Sequence, residues 1–149
     1  MKIGLGSDHA GYELMGYIKE YLDKKGIEYI DFGTNSNKSV DYPEFGQKTA
    51  EAVKSGECHR GIICCGTGIG ISISANKVPG IRCALCGDCY SARMSIEHNN
   101  ANVLAIGARV TGKDLALEII DTWLKAEFLG GKHEKRINKI KDIENKYVI

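Results

Sequence analysis

Gly61-Ile62-Ile63-Cys64-Cys65-Gly66-Thr67-Gly68-Ile69-Gly70 is the stretch on which the fold reading turns. Gly61–Cys65 shows no alternation of polar and apolar positions, the pattern of a strand buried on both faces. Glycines 66, 68 and 70 then make a tight loop, and Gly70–Lys77 follows as a short helix. Strand, glycine loop and helix in that order are the beginning of a βαβ unit.

The same rhythm continues on both sides. Upstream, Lys2–Gly6 reads as a strand, and Gly11–Lys25 as a helix with Met15, Ile18 and Leu22 at helical spacing and Gly26 just past its end. Ile27–Phe32 is a second strand. Asp41-Tyr42-Pro43-Glu44 then opens a helix, with a capping Asp and Pro near the first position, that runs to about Ser55 and closes at Gly56. Downstream, Ile81–Cys86 and Asn102–Ile106 read as strands on either side of a helix at Tyr90–Glu97. Thr111-x-x-Asp114 opens a further helix that carries Leu115, Ile119, Ile120 and Trp123. Five strands separated by helices predict one α/β domain over 1–149: a doubly wound, Rossmann-like, five-stranded parallel sheet with helices on both faces. Gly130-Gly131 breaks the chain before a highly charged helix, Lys132–Tyr147, whose apolar line is Ile137, Ile140, Ile143 and Tyr147. So narrow a stripe after a glycine hinge fits either its own domain or a partner, and we read residues 130–149 as a C-terminal extension docking on a second subunit.

Composition narrows the classes. With Lys+Arg 20 against Asp+Glu 19 in 149 residues, the formal charge is +1, which offers no bulk field for nucleic acid or an anionic membrane. No apolar run approaches the ~18 residues of a spanning helix. Six cysteines and no signal-peptide pattern, in a chain long enough to build its own core, point to reduced thiols and a cytoplasmic protein. The 18 glycines lack a three-residue period, so a collagen-like chain is excluded. Many of them fall at expected turns and helix ends, such as Gly26, Gly33 and Gly56.

In an open parallel sheet, ligands bind beyond the carboxyl ends of the strands. Ser7-Asp8-His9 and Cys65–Gly70 follow strands directly, and Glu97-His98-Asn99-Asn100, just before the fifth strand, is expected at the same rim. Alternating glycines let successive backbone N–H groups converge on an anion beside a helix N-terminus. The loop reads equally as a packing turn; it is neither a Walker A loop nor a dinucleotide fingerprint, since its spacing is G-x-G-x-G. Cys65 enters that loop, where a thiol ionises more readily than usual and can act as base or nucleophile, while Cys64 points to the opposite face and into the core. Asp8 reads as a helix cap, a ligand contact or both. His98 with Asn99 suits acid/base or hydroxyl-binding work, or a helix end on the surface. Arg109, Lys132, His133 and Arg136 are positive charge for a phosphate, or a solvated face. Cys83-x-x-Cys86-x-x-Cys89 resembles a metal run but lacks a fourth ligand, and residues three apart on a strand face opposite ways.

Taken together, the motifs resemble type B ribose-5-phosphate isomerase, a family with the galactose-6-phosphate isomerase subunits and allose-phosphate isomerases. The matching text is G-S-D-H-A-G-Y from Gly6, D-Y-P from Asp41, C-G-T-G-I-G-I-S-I-S-A-N-K from Cys65, P-G-I-R-C-A from Pro79, E-H-N-N-A-N-V-L-A-I-G-A-R-V from Glu97 and G-G-K-H-E-K-R from Gly130. The resemblance implies an aldose–ketose isomerase that needs no metal or organic cofactor. It implies Cys65 as the base moving a proton between C1 and C2, and Gly66, Thr67, Gly68, Ile69 and Gly70 as the anion hole for a cis-enediolate. It further implies ring opening by His98, with Asn99 on a sugar hydroxyl. Asp8, His9, Tyr42, Arg109, Lys132 and Arg136 would contact the phosphorylated sugar, at sites lying in the interface of a homodimer or of a tetramer built from it. Lys132 stands where relatives commonly carry arginine, which keeps the charge but loses bidentate geometry. Relatives that lack the cysteine use a glutamate at the position of Ile71, so the cysteine-dependent variant applies. The alternatives are six-carbon sugar phosphates as substrates, or a non-catalytic phosphosugar-binding protein.

Overall fold

The computed structural model describes residues 1–148; Ile149, the last residue of the expected docking extension, lies outside them. The elements run β1 (Lys2–Ser7), α1 (Tyr12–Lys25), β2 (Glu28–Asp31), α2 (Tyr42–Ser55), β3 (Arg60–Cys65), α3 (Ile69–Asn76), β4 (Cys83–Leu85), α4 (Cys89–Glu97), β5 (Val103–Gly107), α5 (Lys113–Lys125) and α6 (Lys132–Tyr147). The five strands form one sheet in the order β2-β1-β3-β5-β4, with every pairing parallel. This is the doubly wound α/β architecture expected from the alternation of apolar runs.

The period-two alternation of strand side chains divides the core. Ile3, Leu5, Ile62, Cys64, Leu104 and Ile106 pack under α1, α4 and α5, together with Leu14, Ile18, Ile96, Ile119 and the fully buried Trp123. Ile63, Cys65, Val103 and Ala105 face the other way, against Ala50 of α2 and Ile71 and Ala75 of α3. On that second face the strands carry glycine so that α2 can lie directly on the sheet. A Cβ at Gly6 would sit 2.8 Å from the Phe45 carbonyl oxygen, and one at Gly61 would sit 3.1 Å from Thr49 Cγ2. Part of the glycine excess is therefore close packing rather than turns.

Three local expectations change. The strand expected at Ile81–Cys86 is only the three residues of β4, because the Arg82 N–H leaves the ladder and donates to Asn102 Oδ1 at 2.8 Å. Thr111 does not start α5: its N–H closes a turn onto the Gly107 carbonyl, and Gly112 takes the N-cap position. Asp41 does sit at the N-cap of α2, but its side chain makes no cap hydrogen bond.

Candidate active site

The chain leaves β1 toward β2 and returns across it to β3, so the strand order reverses between β1 and β3. The carboxyl ends of those two strands form the switch point at which ligands bind in such sheets. Cys65 is the last residue of β3, on the α2–α3 face, and is 5% exposed. Its sulfur accepts a hydrogen bond from the Gly68 N–H at 3.2 Å. The sulfur thus lies beside the N-terminus of α3. Cys64 points into the opposite core, where burial, with Cys65 and Asp8 adding to it, pushes its thiol well above the usual range. Two adjacent thiols thus meet opposite environments, as strand alternation dictates.

The loop holds its shape through glycine. Gly68 has φ 77°, and a Cβ there would meet Leu85 Cδ1 at 2.5 Å and the Ile106 carbonyl carbon at 2.9 Å. Gly70 admits the Tyr42 ring, whose Cζ would lie 2.5 Å from a Cβ at that position. Thr67 Oγ1 accepts from the Ile69 N–H at 3.2 Å. The segment after β5 is tied to the same loop, since Ala108 N–H donates to the Cys65 carbonyl and Arg109 N–H to the Gly66 carbonyl, each at 2.9 Å. Arg109 accordingly lays its guanidinium against Gly66, with Nη1 3.2 Å from where a Cβ would be.

Asp8 lies beside this loop after β1, where its own N–H donates to the Cys64 carbonyl. Its buried carboxylate accepts from the Ala10 and Gly11 N–H groups at 3.0 and 3.1 Å, which steers the chain into α1. His9 accepts from the Val40 N–H at Nδ1, 3.1 Å away, so its protonated nitrogen is Nε2. The carboxyl rim therefore gathers Asp8, His9, Tyr42, Cys65, Gly66 through Gly70 and Arg109. A thiol, the backbone at the start of α3 and the Arg109 guanidinium thus share one rim, a set of groups suited to an anionic ligand.

The remaining site residues do not join them within one chain. Because α4 leads from β4 back to the start of β5, His98 and Asn99 at its C-terminal end lie at the amino rim. The six residues of β3 put that rim about 17 Å from Cys65. The expectation that all three polar clusters share one rim is thus corrected by the direction of α4. At the amino rim His98 stacks on His133, with ring centroids 4.1 Å apart and planes 9° from parallel. Burial holds the His133 imidazole below the usual histidine range, and His98, Lys132 and Arg136 add to the shift. Lys132 and Arg136 are exposed on the first turns of α6. In the sequence His133 is only one of several cations; its stacking on His98 needs the fold to bring α4 and α6 together.

Past its first turns, α6 is loosely held. Ile137 is buried and Glu144 accepts from the Gly80 N–H at 3.0 and 3.1 Å, but Ile140, Ile143 and Tyr147 are exposed. Cys83 packs on one face of the sheet and Cys86 on the other. Burial pushes the Cys86 thiol up to about 11, opposed by a hydrogen bond with Ser95, and it raises Cys83 as well. Among the described residues no helix is long and apolar enough to cross a membrane.

Comparison with known proteins extends the likeness to nearly the full chain. The sequence profile of the Ribose/Galactose Isomerase family matches residues 3–140. Ribose-5-phosphate isomerase B of Escherichia coli is 48% identical over 145 residues, covering 97% of each chain. Galactose-6-phosphate isomerase subunit LacB of Clostridium acetobutylicum is also 48% identical, over 139 residues, covering 93% of this chain and 80% of its own. The solved ribose-5-phosphate isomerase B of Clostridium thermocellum superposes with a TM-score of 0.98 at 67% identity, covering 99% of this chain and 100% of the other. With that match over residues 3–140 and that superposition, the chain belongs to the Ribose/Galactose Isomerase family.

Proposed function

We propose that this chain interconverts D-ribose 5-phosphate and D-ribulose 5-phosphate by proton transfer through a cis-enediolate. One observation carries the reading: β3 delivers the Cys65 sulfur to the glycine loop at the N-terminus of α3, where the Gly68 N–H donates to it. Once the furanose is open, the Cys65 thiolate removes the proton on C2. The C–H electron pair forms the C1–C2 double bond, and the aldehyde π pair moves onto O1 as the oxyanion. The loop N–H groups receive that charge; in a well-measured case one such donor is worth ~2.7–4 kcal/mol. A proton passes from O2 to O1, and the cysteine thiol returns its proton to C1 to give the ketose.

Ring opening falls to His98 and hydroxyl binding to Asn99, both at the rim opposite Cys65 in the same chain, the length of β3 away. A second protomer in a homodimer supplies them, together with Lys132 and Arg136 for the phosphate, facing His9 and Arg109. The separation of the two half-sites by the length of the sheet supports this, and so do the exposed Ile140, Ile143 and Tyr147 of α6. The six free cysteines fit a reducing cytoplasm. The equal likeness to a galactose-6-phosphate isomerase subunit favours six-carbon sugar phosphates as the second reading.

A coupled assay on ribose 5-phosphate, allose 6-phosphate and galactose 6-phosphate decides the substrate, with Cys65→Ala alongside. We expect the highest kcat/KM on ribose 5-phosphate and no turnover by the variant. Absence of turnover on all three, or full activity of Cys65→Ala, refutes the proposal.

A further inference from the structure

Pro79-Gly80-Ile81-Arg82-Cys83-Ala84 is among the stretches that carry the family resemblance, yet neither the proton transfer nor the phosphate contacts use it. Arg82 lies in the turn before β4 and reaches across to the end of α4. Its Nε donates to the Asn99 and Asn100 carbonyls, each at 3.0 Å, and its Nη2 donates to the Asn100 carbonyl at 2.9 Å. Those carbonyls belong to the turn that ends α4, where a helix leaves acceptors without partners and carries partial negative charge. Asn100 has φ 46°, and among the described residues it is the one non-glycine with positive φ. A non-glycine residue holds that conformation only where its surroundings fix it. Asn102 closes the frame, with Oδ1 accepting from the Arg82 N–H at 2.8 Å and Nδ2 donating to the Gly80 carbonyl at 2.9 Å. Glu144 of α6 accepts from the Gly80 N–H. One short turn thus anchors both the segment that bears His98 and Asn99 and the helix that bears Lys132, His133 and Arg136.

We propose that Arg82 is a positioning residue for ring opening, its guanidinium clamping the Asn99 and Asn100 carbonyls so that His98 and Asn99 are held at the orientation the furanose requires. The inference rests on the assignment of ring opening to His98. Arg82 touches no reacting atom and acts through the turn. Its loss leaves the Cys65 loop, at the other rim, intact. Because its phosphate occupies O5, D-ribulose 5-phosphate cannot close to a furanose, so exchange of its C1 proton with solvent reports the cysteine step without ring chemistry.

The test compares Arg82→Met, Arg82→Lys, His98→Asn and the Arg82→Met/His98→Asn double variant in two assays. One is net turnover of ribose 5-phosphate, and the other is deuterium incorporation at C1 of ribulose 5-phosphate in D2O. Misplacing a catalytic group by about 1 Å costs up to ~100-fold, so we expect Arg82→Met to lose about ten- to hundredfold in turnover while C1 exchange at saturating ribulose 5-phosphate stays within about twofold. Arg82→Lys keeps one donor and recovers part of the loss; should Arg82→Met fail to fold, an intermediate loss in Arg82→Lys confined to turnover carries the same conclusion. The double variant is expected to turn over no more slowly than His98→Asn alone. Turnover of both Arg82 variants within about twofold of the parent overturns the inference, as do equal losses in both assays or a double variant slower by the full Arg82→Met factor. Full turnover by His98→Asn overturns the ring-opening assignment itself and the inference with it, which separates the two failures.

Discussion

Gly68→Ala separates the roles of the loop as scaffold and as anion binder. In the left-handed region, at φ 77°, an alanine costs ~1–2 kcal/mol relative to glycine. Its Cβ would also press on Leu85 Cδ1 at 2.5 Å and on backbone atoms of Ile106 and Gly107 at 2.9 and 3.0 Å. The leucine tip can turn away, but the β5 backbone cannot, and overpacking of this kind costs a further ~1–3 kcal/mol. The sum, about 2–5 kcal/mol, lowers Tm by roughly 5–15 °C in a domain of this size. The same shift carries the Gly68 N–H off Cys65 Sγ and displaces the loop proposed to hold the oxyanion, where losing one donor lowers kcat by about 100-fold. Gly16→Ala is the control: in mid-α1 a Cβ meets nothing within 4 Å, so helix propensity alone stabilises by ~0.5–1 kcal/mol with kcat unchanged. Thermal unfolding by circular dichroism and the coupled assay read both effects. A Gly68→Ala protein with Tm within about 2 °C of the parent and full kcat would refute the reasoning.

Other outcomes follow from single side chains. His98→Asn should slow ribose 5-phosphate turnover more than C1 exchange from ribulose 5-phosphate; equal losses would argue against a ring-opening role. Lys132→Arg restores a bidentate fork and should lower KM by a few-fold with little change in kcat, measured by initial rates. Because His133 has a folded pKa depressed below its unfolded value of about 6.5, the unfolded chain binds its proton first. That contribution to stability is fully present above about pH 6.5 and is lost as pH falls through the depressed pKa. Urea midpoints should therefore fall from pH 7.5 toward more acid conditions, and less steeply in His133→Asn.

The strands were legible because burial on both faces removes polar residues from the run, as in Gly61–Cys65 and Val103–Gly107. Alternation along β3 was enough to separate the core thiol of Cys64 from Cys65 at the loop. The bounds of α6 were legible as well, because Gly130 and Gly131 both take positive φ just before it. Close packing was harder to read: Gly6 looks like any strand glycine until Phe45 and Thr49 of α2 are placed above it. The short β4 depends on a side chain twenty residues away, Asn102, capturing the Arg82 N–H. The rim of His98 was obscured for another reason. Its chemistry matches that of Cys65, but the turn before a parallel strand lies at the end opposite the turn after one, and chemical likeness carries no direction.

Mixing Cys65→Ala and His98→Asn protomers tests the central claim most directly. In the proposed shared-site dimer, each homodimer of one variant lacks one half of every site. A heterodimer pairs the intact Cys65 of one protomer with the intact His98 of the other at one site and leaves the second site doubly impaired. With random exchange of subunits, half the dimers carry one complete site in two, so ribose 5-phosphate turnover should rise to about a quarter of the parent value. A mixture no faster than the average of the two variants would contradict the account.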